Sequence, residues 1–374
     1  MKLFEPIQVG NSSLLHRVVL APLTRNRGTS AHVPGPTMPE YYAQRASVPG
    51  TLLVTEATFI APQAGGYPNV PGIWNEEQIE GWKKVTAAVH EKGSFIYLQL
   101  WALGRAANPT QLAKEGVSGG YVSSSSIPLK SQTEAGVPPP RTLDIAEVRE
   151  YVQLYATAAE NAIKAGFDGV EVHGANGYLI DQFTQDVSNK RTDAYGGSIE
   201  NRARFALEIV DAIVKKIGAK KTGIRFSPWG YFQDMRMSDP IPTFSYLVSS
   251  LVSAHPELAF VHVVEPRISG ASDRTDVGDH EQNDFIRDIT RKAGGITKVI
   301  SAGGYTRQQA IEAAEEKGDL VAFGRAYIAN PDLPTRLKED IPLTLGNRKT
   351  YYIPGDFTGI GYTDYPFADA ASRL

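Results

Sequence analysis

At 374 residues, 42% hydrophobic and 21% charged, the chain has ordinary globular composition and is long enough for two or three average domains or one large α/β barrel. A formal net charge of −3 gives no electrostatic reason to expect nucleic acid or an anionic membrane as partner. Cysteine is absent, which excludes disulfides, thiolate nucleophiles and thiolate-ligated zinc or iron–sulfur centres.

From the N-terminus, Met1-Lys2-Leu3-Phe4-Glu5-Pro6 lacks the basic stretch and apolar run of a signal peptide. No apolar run approaches the roughly 20 residues that cross a bilayer, so a soluble intracellular protein is expected. Within residues 1–16, Gly10-Asn11 separates two short alternating runs and reads as a hairpin closing one end of the fold. Short β-branched runs then mark candidate strands at 17–22, 51–57, 95–100, 169–174, 222–228, 260–266, 298–303 and 320–324. Several are apolar on both faces (Val18, Val19 and Leu20; Val299 and Ile300), as parallel strands covered on both sides must be.

Helix signals fill the intervals. Asn75 with Gln78 has capping-box spacing ahead of an Ile79, Trp82, Val85, Val89 stripe that Gly93 stops. From Ser198, the residues Phe205, Ile209, Val210, Ile213 and Ile217 form a second stripe, ended by Gly218. Thr306 with Gln309 opens a third helix, closed by Gly318. Eight strand–helix units predict a parallel sheet closed as a (β/α)8 TIM barrel, with an N-terminal capping hairpin. A single domain over residues 1–374 is expected, since no linker, charge block or further repeat interrupts the pattern. Residues 104–141, rich in Gly, Ser and Pro, follow the third strand as an extended loop of the kind that serves as a lid or substrate wall.

Barrel enzymes carry their chemistry at the C-terminal ends of the strands. There the seventh and eighth strands end Ser301-Ala302-Gly303-Gly304 and Phe323-Gly324-Arg325. Gly303, Gly304 and Gly324 let backbone N–H groups approach an anion, and Arg325 adds a charged fork, so the pair reads as a phosphate site. Gln99 and Arg225 end the third and fifth strands, where an amide and a guanidinium suit an electron-poor heterocycle. A lone strand arginine is also compatible with a structural ion pair, and Thr24, after the first strand, with either a flavin contact or a loop cap. His173 and Asn176, three residues apart, both suit donation to one carbonyl oxygen, and Tyr178, protonated at neutral pH, suits a general acid. His262, within an apolar strand, reads as packed rather than ligating.

These residues fall in stretches that resemble the old yellow enzyme family of FMN-dependent ene-reductases over essentially the whole chain. The stretches include Arg17-Val18-Val19-Leu20-Ala21-Pro22-Leu23-Thr24-Arg25, Glu40-Tyr41-Tyr42-Ala43-Gln44-Arg45-Ala46 and Val70-Pro71-Gly72-Ile73-Trp74. The most specific is His173-Gly174-Ala175-Asn176-Gly177-Tyr178-Leu179-Ile180-Asp181-Gln182-Phe183, followed by Arg191-Thr192-Asp193, Tyr195-Gly196-Gly197-Ser198 and Glu200-Asn201-Arg202. The resemblance implies that Pro22, Leu23, Thr24, Ala57, Gln99 and Arg225 contact the isoalloxazine and ribityl, and that Gly303, Gly304, Gly324 and Arg325 hold the phosphate. It further implies carbonyl binding by His173 and Asn176 and protonation of the α-carbon by Tyr178. Trp101 and Tyr352 would line the substrate pocket. The family's cycle is ping-pong: NADPH or NADH reduces FMN and leaves, and the enone then accepts hydride from flavin N5 at its β-carbon.

The His–Asn pair resembles yeast-type members, whereas plant oxophytodienoate reductases usually carry His–His. The C-terminal Gly361-Tyr362-Thr363-Asp364-Tyr365-Pro366-Phe367 resembles the plant enzymes instead, so oxophytodienoate is not assigned as substrate. The terminal Ser372-Arg373-Leu374 is a variant of the Ser-Lys-Leu peroxisomal address. A small-molecule enone or enal is the expected partner, in a monomer or homodimer. The competing classes are a metal-dependent or Schiff-base barrel, for which strand-end ligands and a suitable lysine are lacking, and a flavin-dependent isomerase or reductase dedicated to one biosynthetic intermediate.

Overall fold

A computed structural model describes residues 1–270 and 272–368, so the C-terminal tripeptide lies outside the described residues. The eight expected strands are present as β1 (Val18–Leu20), β2 (Leu52–Val54), β3 (Phe95–Trp101), β4 (Gly169–His173), β5 (Thr222–Phe226), β6 (Phe260–Val264), β7 (Lys298–Ala302) and β8 (Leu320–Phe323). They lie in the order β2-β1-β8-β7-β6-β5-β4-β3, all parallel, and a β2–β3 pairing closes the barrel. A ninth short strand, Thr58–Phe59, adds to the end of β3 at Leu100 and Trp101.

Because side chains alternate across a strand, an apolar run on both faces divides into two cores. Val19, Leu52, Val54, Tyr97, Phe260, Ile300 and Leu320 fill the barrel interior, whereas Val18, Leu20, Leu53, Ile96, Leu98, Val170, Val172, Val261 and Val263 pack outward. The helix stripes meet that outer face: Trp82 and Val85 come from helix Glu76–His90, and Phe205, Ile209 and Ile213 from helix Ile199–Ile217. Thr306 and Gln309 form a reciprocal capping box. At helix Glu76–His90 only half of the expected box forms, because Gln78 Oε1 accepts from Trp74 N (2.8 Å) while Asn75 accepts from Gln78 N (2.9 Å).

The hairpin pairs Ile7–Val9 with Ser12–Leu14 across Gly10-Asn11. Val9 and Leu14 complete the inner apolar cluster, closing the end of the barrel away from the strand C-termini. Gly10 has φ +53, and a Cβ there would lie 1.9 Å from the Lys220 carbonyl oxygen, so the plug requires glycine. Among the described residues no helix is long and apolar enough to cross a membrane.

The excursion after β3 has structure of its own: helices Pro109–Lys114 and Lys130–Glu134, and the paired short strands Val122–Ser123 and Arg141–Thr142. It does not wall the main cavity, contrary to the expectation from its length. Two of its serines turn inward, Ser123 Oγ donating to Gln182 Oε1 (2.9 Å) and Ser124 Oγ to the Gln182 carbonyl (2.8 Å). The segment therefore braces the turn after β4 from beneath.

Candidate active site

A cavity of about 830 Å³ opens where the strands end. Its wall carries Pro22, Leu23, Thr24, Gln99, Trp101, His173, Asn176, Tyr178, Arg225, Gly303, Gly304, Gly324, Arg325 and Tyr352 together. Of the residues expected there, Ala57 is off the wall. It is buried in an apolar cluster with Phe59 and Trp101, while neighbouring Glu56 accepts from Arg25 N (3.1 Å).

On the β7–β8 side the wall is backbone. A Cβ on Gly303 would lie 2.6 Å from Glu265 Cβ and one on Gly324 3.2 Å from Leu23, while Gly304 turns at φ +64. Such bare backbone lets N–H groups come close to a ligand, and a side chain on Gly303 or Gly324 would crowd Glu265 or Leu23 and distort that cradle. Arg325, partly exposed beside it, pairs with Asp273 at 2.7 Å. The donor set fits a phosphate monoester, and hence the phosphate end of FMN.

Across the cavity the wall consists of side chains resting on a buried polar layer. Strand register sets Gln99 opposite Glu171, and Arg225 opposite both His173 and His262. Gln99 Nε2 donates to Glu171 Oε1 (2.6 Å), and His262 Nδ1 pairs with Glu171 Oε2 (2.7 Å). Arg225 is buried, and its Nε has no hydrogen-bond partner. A buried donor left without a partner costs about 1–3 kcal/mol. A guanidinium at a cavity wall in that state fits a ligand with acceptors on its edge, as the pyrimidine end of an isoalloxazine has.

The turn after β4 aims three polar side chains into the same space. His173 Nδ1 accepts from Ala175 N (3.4 Å), which leaves Nε2 carrying the proton of a neutral imidazole. Burial, with Arg225 and His262 nearby, holds its pKa well below the usual histidine range. Asn176 occupies the left-handed region at φ 58, a conformation asparagine tolerates, and its N–H donates to Ser227 Oγ (2.7 Å). Tyr178 sits edge-on to Trp101 (4.7 Å) and near His173 (4.9 Å between ring centroids). Burial raises its pKa above the ordinary tyrosine value, with the Gln233 side chain acting weakly the other way, so the hydroxyl keeps its proton.

The turn is held from below. Gly177 N donates to Asp181 Oδ2 (2.9 Å), and Gln182 Nε2 donates to the Gly177 (2.8 Å) and Leu103 (3.0 Å) carbonyls. Gln182 Oε1 in turn accepts from Arg105 N (3.0 Å) and Ser123 Oγ.

The remaining walls come from Phe232 and from segments that sequence reading did not assign: Tyr67, Ile268, and residues 343–346 and 351 beside Tyr352. After β1 the chain alternates, Thr24 and Asn26 facing the cavity while Arg25 and Arg27 are buried. Arg25 Nε donates to the Tyr351 carbonyl (3.0 Å), Arg25 Nη2 to Gly361 O (2.7 Å), and Arg27 Nη2 to Thr350 O and Ile360 O (3.1 Å each). Arg45 Nη2 adds a bond to Tyr362 O (3.0 Å). These arginines tie the C-terminal segment over the barrel and so carry Tyr352 to the cavity.

Comparison with known proteins agrees with this geometry. Residues 2–344 match the NADH:flavin oxidoreductase / NADH oxidase family. The chain is 52% identical over 373 residues to chanoclavine-I aldehyde reductase of Penicillium roqueforti, covering 98% of this chain and 96% of that protein. In structure it is similar to old yellow enzyme from Pichia sp. (TM-score 0.87, 39% identity, 98% and 93% of the two chains). It is also similar to morphinone reductase, solved in complex with tetrahydroNAD (TM-score 0.86, 38% identity, 99% of each chain).

Proposed function

The chain belongs to the NADH:flavin oxidoreductase / NADH oxidase family, that of old yellow enzyme, and from that membership we propose that it is an FMN-dependent ene-reductase. It takes electrons from NADPH or NADH and saturates the activated C=C bond of an α,β-unsaturated carbonyl compound. The observation that carries this reading is the turn after β4. A neutral His173 with a proton on Nε2, the Asn176 carboxamide and a protonated Tyr178 all face one cavity, across from the backbone cradle at Gly303, Gly304 and Gly324.

FMN bound between Gln99, Arg225 and that cradle supplies the two-electron chemistry. The chain's own groups do the rest. His173 and Asn176 hold the substrate's carbonyl oxygen, and their bonds strengthen as that oxygen gains negative charge. Tyr178, protonated and beside them, delivers the proton to the α-carbon. Trp101, Tyr67, Phe232 and Tyr352 give this region flat apolar walls, suited to a hydrophobic ring system. Because a similar protein is named an aldehyde reductase, unsaturated aldehydes are the first substrates to try. Arg225 lines the cavity and its buried Nε has no hydrogen-bond partner, which supports the cofactor role over the structural ion pair.

Anaerobic titration of the purified protein with NADPH, followed by cyclohexenone, tests both halves. The expected result is a yellow protein that bleaches and regains its colour with the enone. A protein that takes up no FMN, or a reduced flavin that the enone leaves bleached, overturns the reading.

A further inference from the structure

Beneath the cavity floor lies a carboxylate with no assigned part in the reaction. Glu171 and His173 are alternate residues of β4, so both point into the barrel, His173 at the cavity and Glu171 one layer deeper. Glu171 and His262 are completely buried and Gln99 nearly so. A buried ion pair or carboxylate seldom adds stability over an apolar residue of similar size, so its presence asks for another reason.

We propose that Glu171 is a positioning residue that fixes the sense of the Gln99 carboxamide and balances the charge of Arg225 beneath the flavin ring. The inference rests on the FMN reading above. A carboxylate only accepts hydrogen bonds. Its 2.6 Å contact with Gln99 therefore takes the amide nitrogen and turns the amide carbonyl away, toward the cavity. An amide with no such neighbour could present either end. With Glu171 in place, Gln99 presents an acceptor and Arg225 presents donors, the pattern that complements a ring imide, whose N–H is flanked by carbonyl groups. The second Glu171 oxygen is held by His262 Nδ1, which keeps the carboxylate from rotating off Gln99. Glu171 is also the acidic group acting on the buried Arg225 guanidinium. Its negative charge offsets the cation that would otherwise favour the electron-rich, reduced form of a bound flavin.

Two variants of the FMN-loaded protein separate these effects. Glu171→Asp keeps the charge but withdraws the carboxylate by one methylene from Gln99. FMN is expected to bind about tenfold more weakly, with the midpoint potential unmoved. Glu171→Gln keeps the volume and removes the charge. Reduced FMN should then gain about tenfold in affinity relative to oxidised FMN, a midpoint about 30 mV more positive for a two-electron couple. Both variants folded, with wild-type FMN affinity and wild-type midpoint, would overturn the proposal. So would equal losses of thermal stability and affinity in both with no movement of the midpoint, which would reduce Glu171 to packing. If Glu171→Gln does not fold, wild-type FMN affinity in Glu171→Asp overturns the proposal by itself. A wild-type chain that binds no FMN instead sinks the reading of the cavity, and this inference with it.

Discussion

The two sides of the cavity solve the same problem with different materials. Along β7 and β8 the wall is backbone: Gly303, Gly304 and Gly324 contribute no side chains, and the guanidinium of Arg325 lies beside them, paired with Asp273. Along β3, β4 and β5 the wall is side chains, each set by another beneath it, as Gln99 is by Glu171 and the Gly177 turn is by Gln182 and Asp181. A backbone cradle is fixed as soon as the barrel closes, and it fails when a Cβ is added. A side-chain wall tolerates small additions but fails when a supporting group is removed. Substitutions on the two sides should therefore differ in kind as well as in size.

The largest effect is expected on the side-chain wall. Tyr178→Phe should slow reoxidation of the reduced flavin by an enone about 10²- to 10⁴-fold, the usual contribution of a general acid. Reduction by NADPH, which needs no proton from Tyr178, should be unchanged. Stopped-flow measurement of the two half-reactions separates them, and an unaltered oxidative half-reaction would remove Tyr178 from its assigned role. Next comes Gln182→Leu, which removes a hydrogen bond from the Gly177 and Leu103 carbonyls and from two buried donors, Arg105 N and Ser123 Oγ. Unmet buried groups of that kind cost about 1–3 kcal/mol each before relaxation. A loss of roughly 3 kcal/mol in chemical denaturation is expected, with the turn misplaced even in the folded fraction.

On the backbone side the expected loss is smaller and of a different kind. Gly303→Ala places a methyl 2.6 Å from Glu265 Cβ, so the cradle must shift. Overpacking of this sort costs about 1–3 kcal/mol. Since riboflavin lacks only the phosphate, comparing the affinities of FMN and riboflavin isolates this wall. The variant should lose most of the preference for FMN while Tyr178 chemistry stays intact. An undiminished preference would move the phosphate elsewhere.

The two sides also differed in how far they could be read from sequence. Glycine pairs at the ends of the seventh and eighth strands are local signals, and a barrel rule places them side by side. His173, Asn176 and Tyr178 were legible for the same reason, being close in the chain and at one strand end. Glu171 and His262 were not. In β4, Glu171 between Val170 and Val172 has the alternation of a strand with one wet face, and only barrel closure makes that face an interior. Ala57 lies off the cavity wall for a local reason: β2 ends at Val54, and in the turn that follows Glu56 accepts from Arg25 N while Ala57 is buried in one cluster with Phe59 and Trp101. The C-terminal wall depended on Arg25 and Arg27 meeting carbonyls more than 320 residues away, a pairing with no local pattern. Residues 104–141 were expected at the substrate because of their length, but Ser123 and Ser124 are committed to Gln182 and Ser188.

The smallest expected effect probes the support beneath the side-chain wall. Burial raises the Asp181 carboxyl from an ordinary 3.8 to about 7, against the bonds from Gln185 and Gly177 N that favour its charged form. The folded state thus holds a proton that the unfolded chain has already released between these two values. The native state binds more protons than the denatured state there, so stability is greatest at low pH in this window and falls as pH rises from about 4 toward 7. One pKa unit corresponds to about 1.4 kcal/mol, so this group contributes a loss of about 1 kcal/mol per pH unit through the middle of the window. Glu56, also raised to about 7 by burial, adds a slope of the same sign. Asp181→Asn has no proton to lose and its oxygen still accepts from Gly177 N, so unfolding free energies at pH 5 and 7 should differ less than in wild type by that amount. An equal or steeper fall in the variant would mean that Asp181 is charged throughout. The turn would then rest on a buried carboxylate like Glu171, and the supports under the two parts of the side-chain wall would be of one kind.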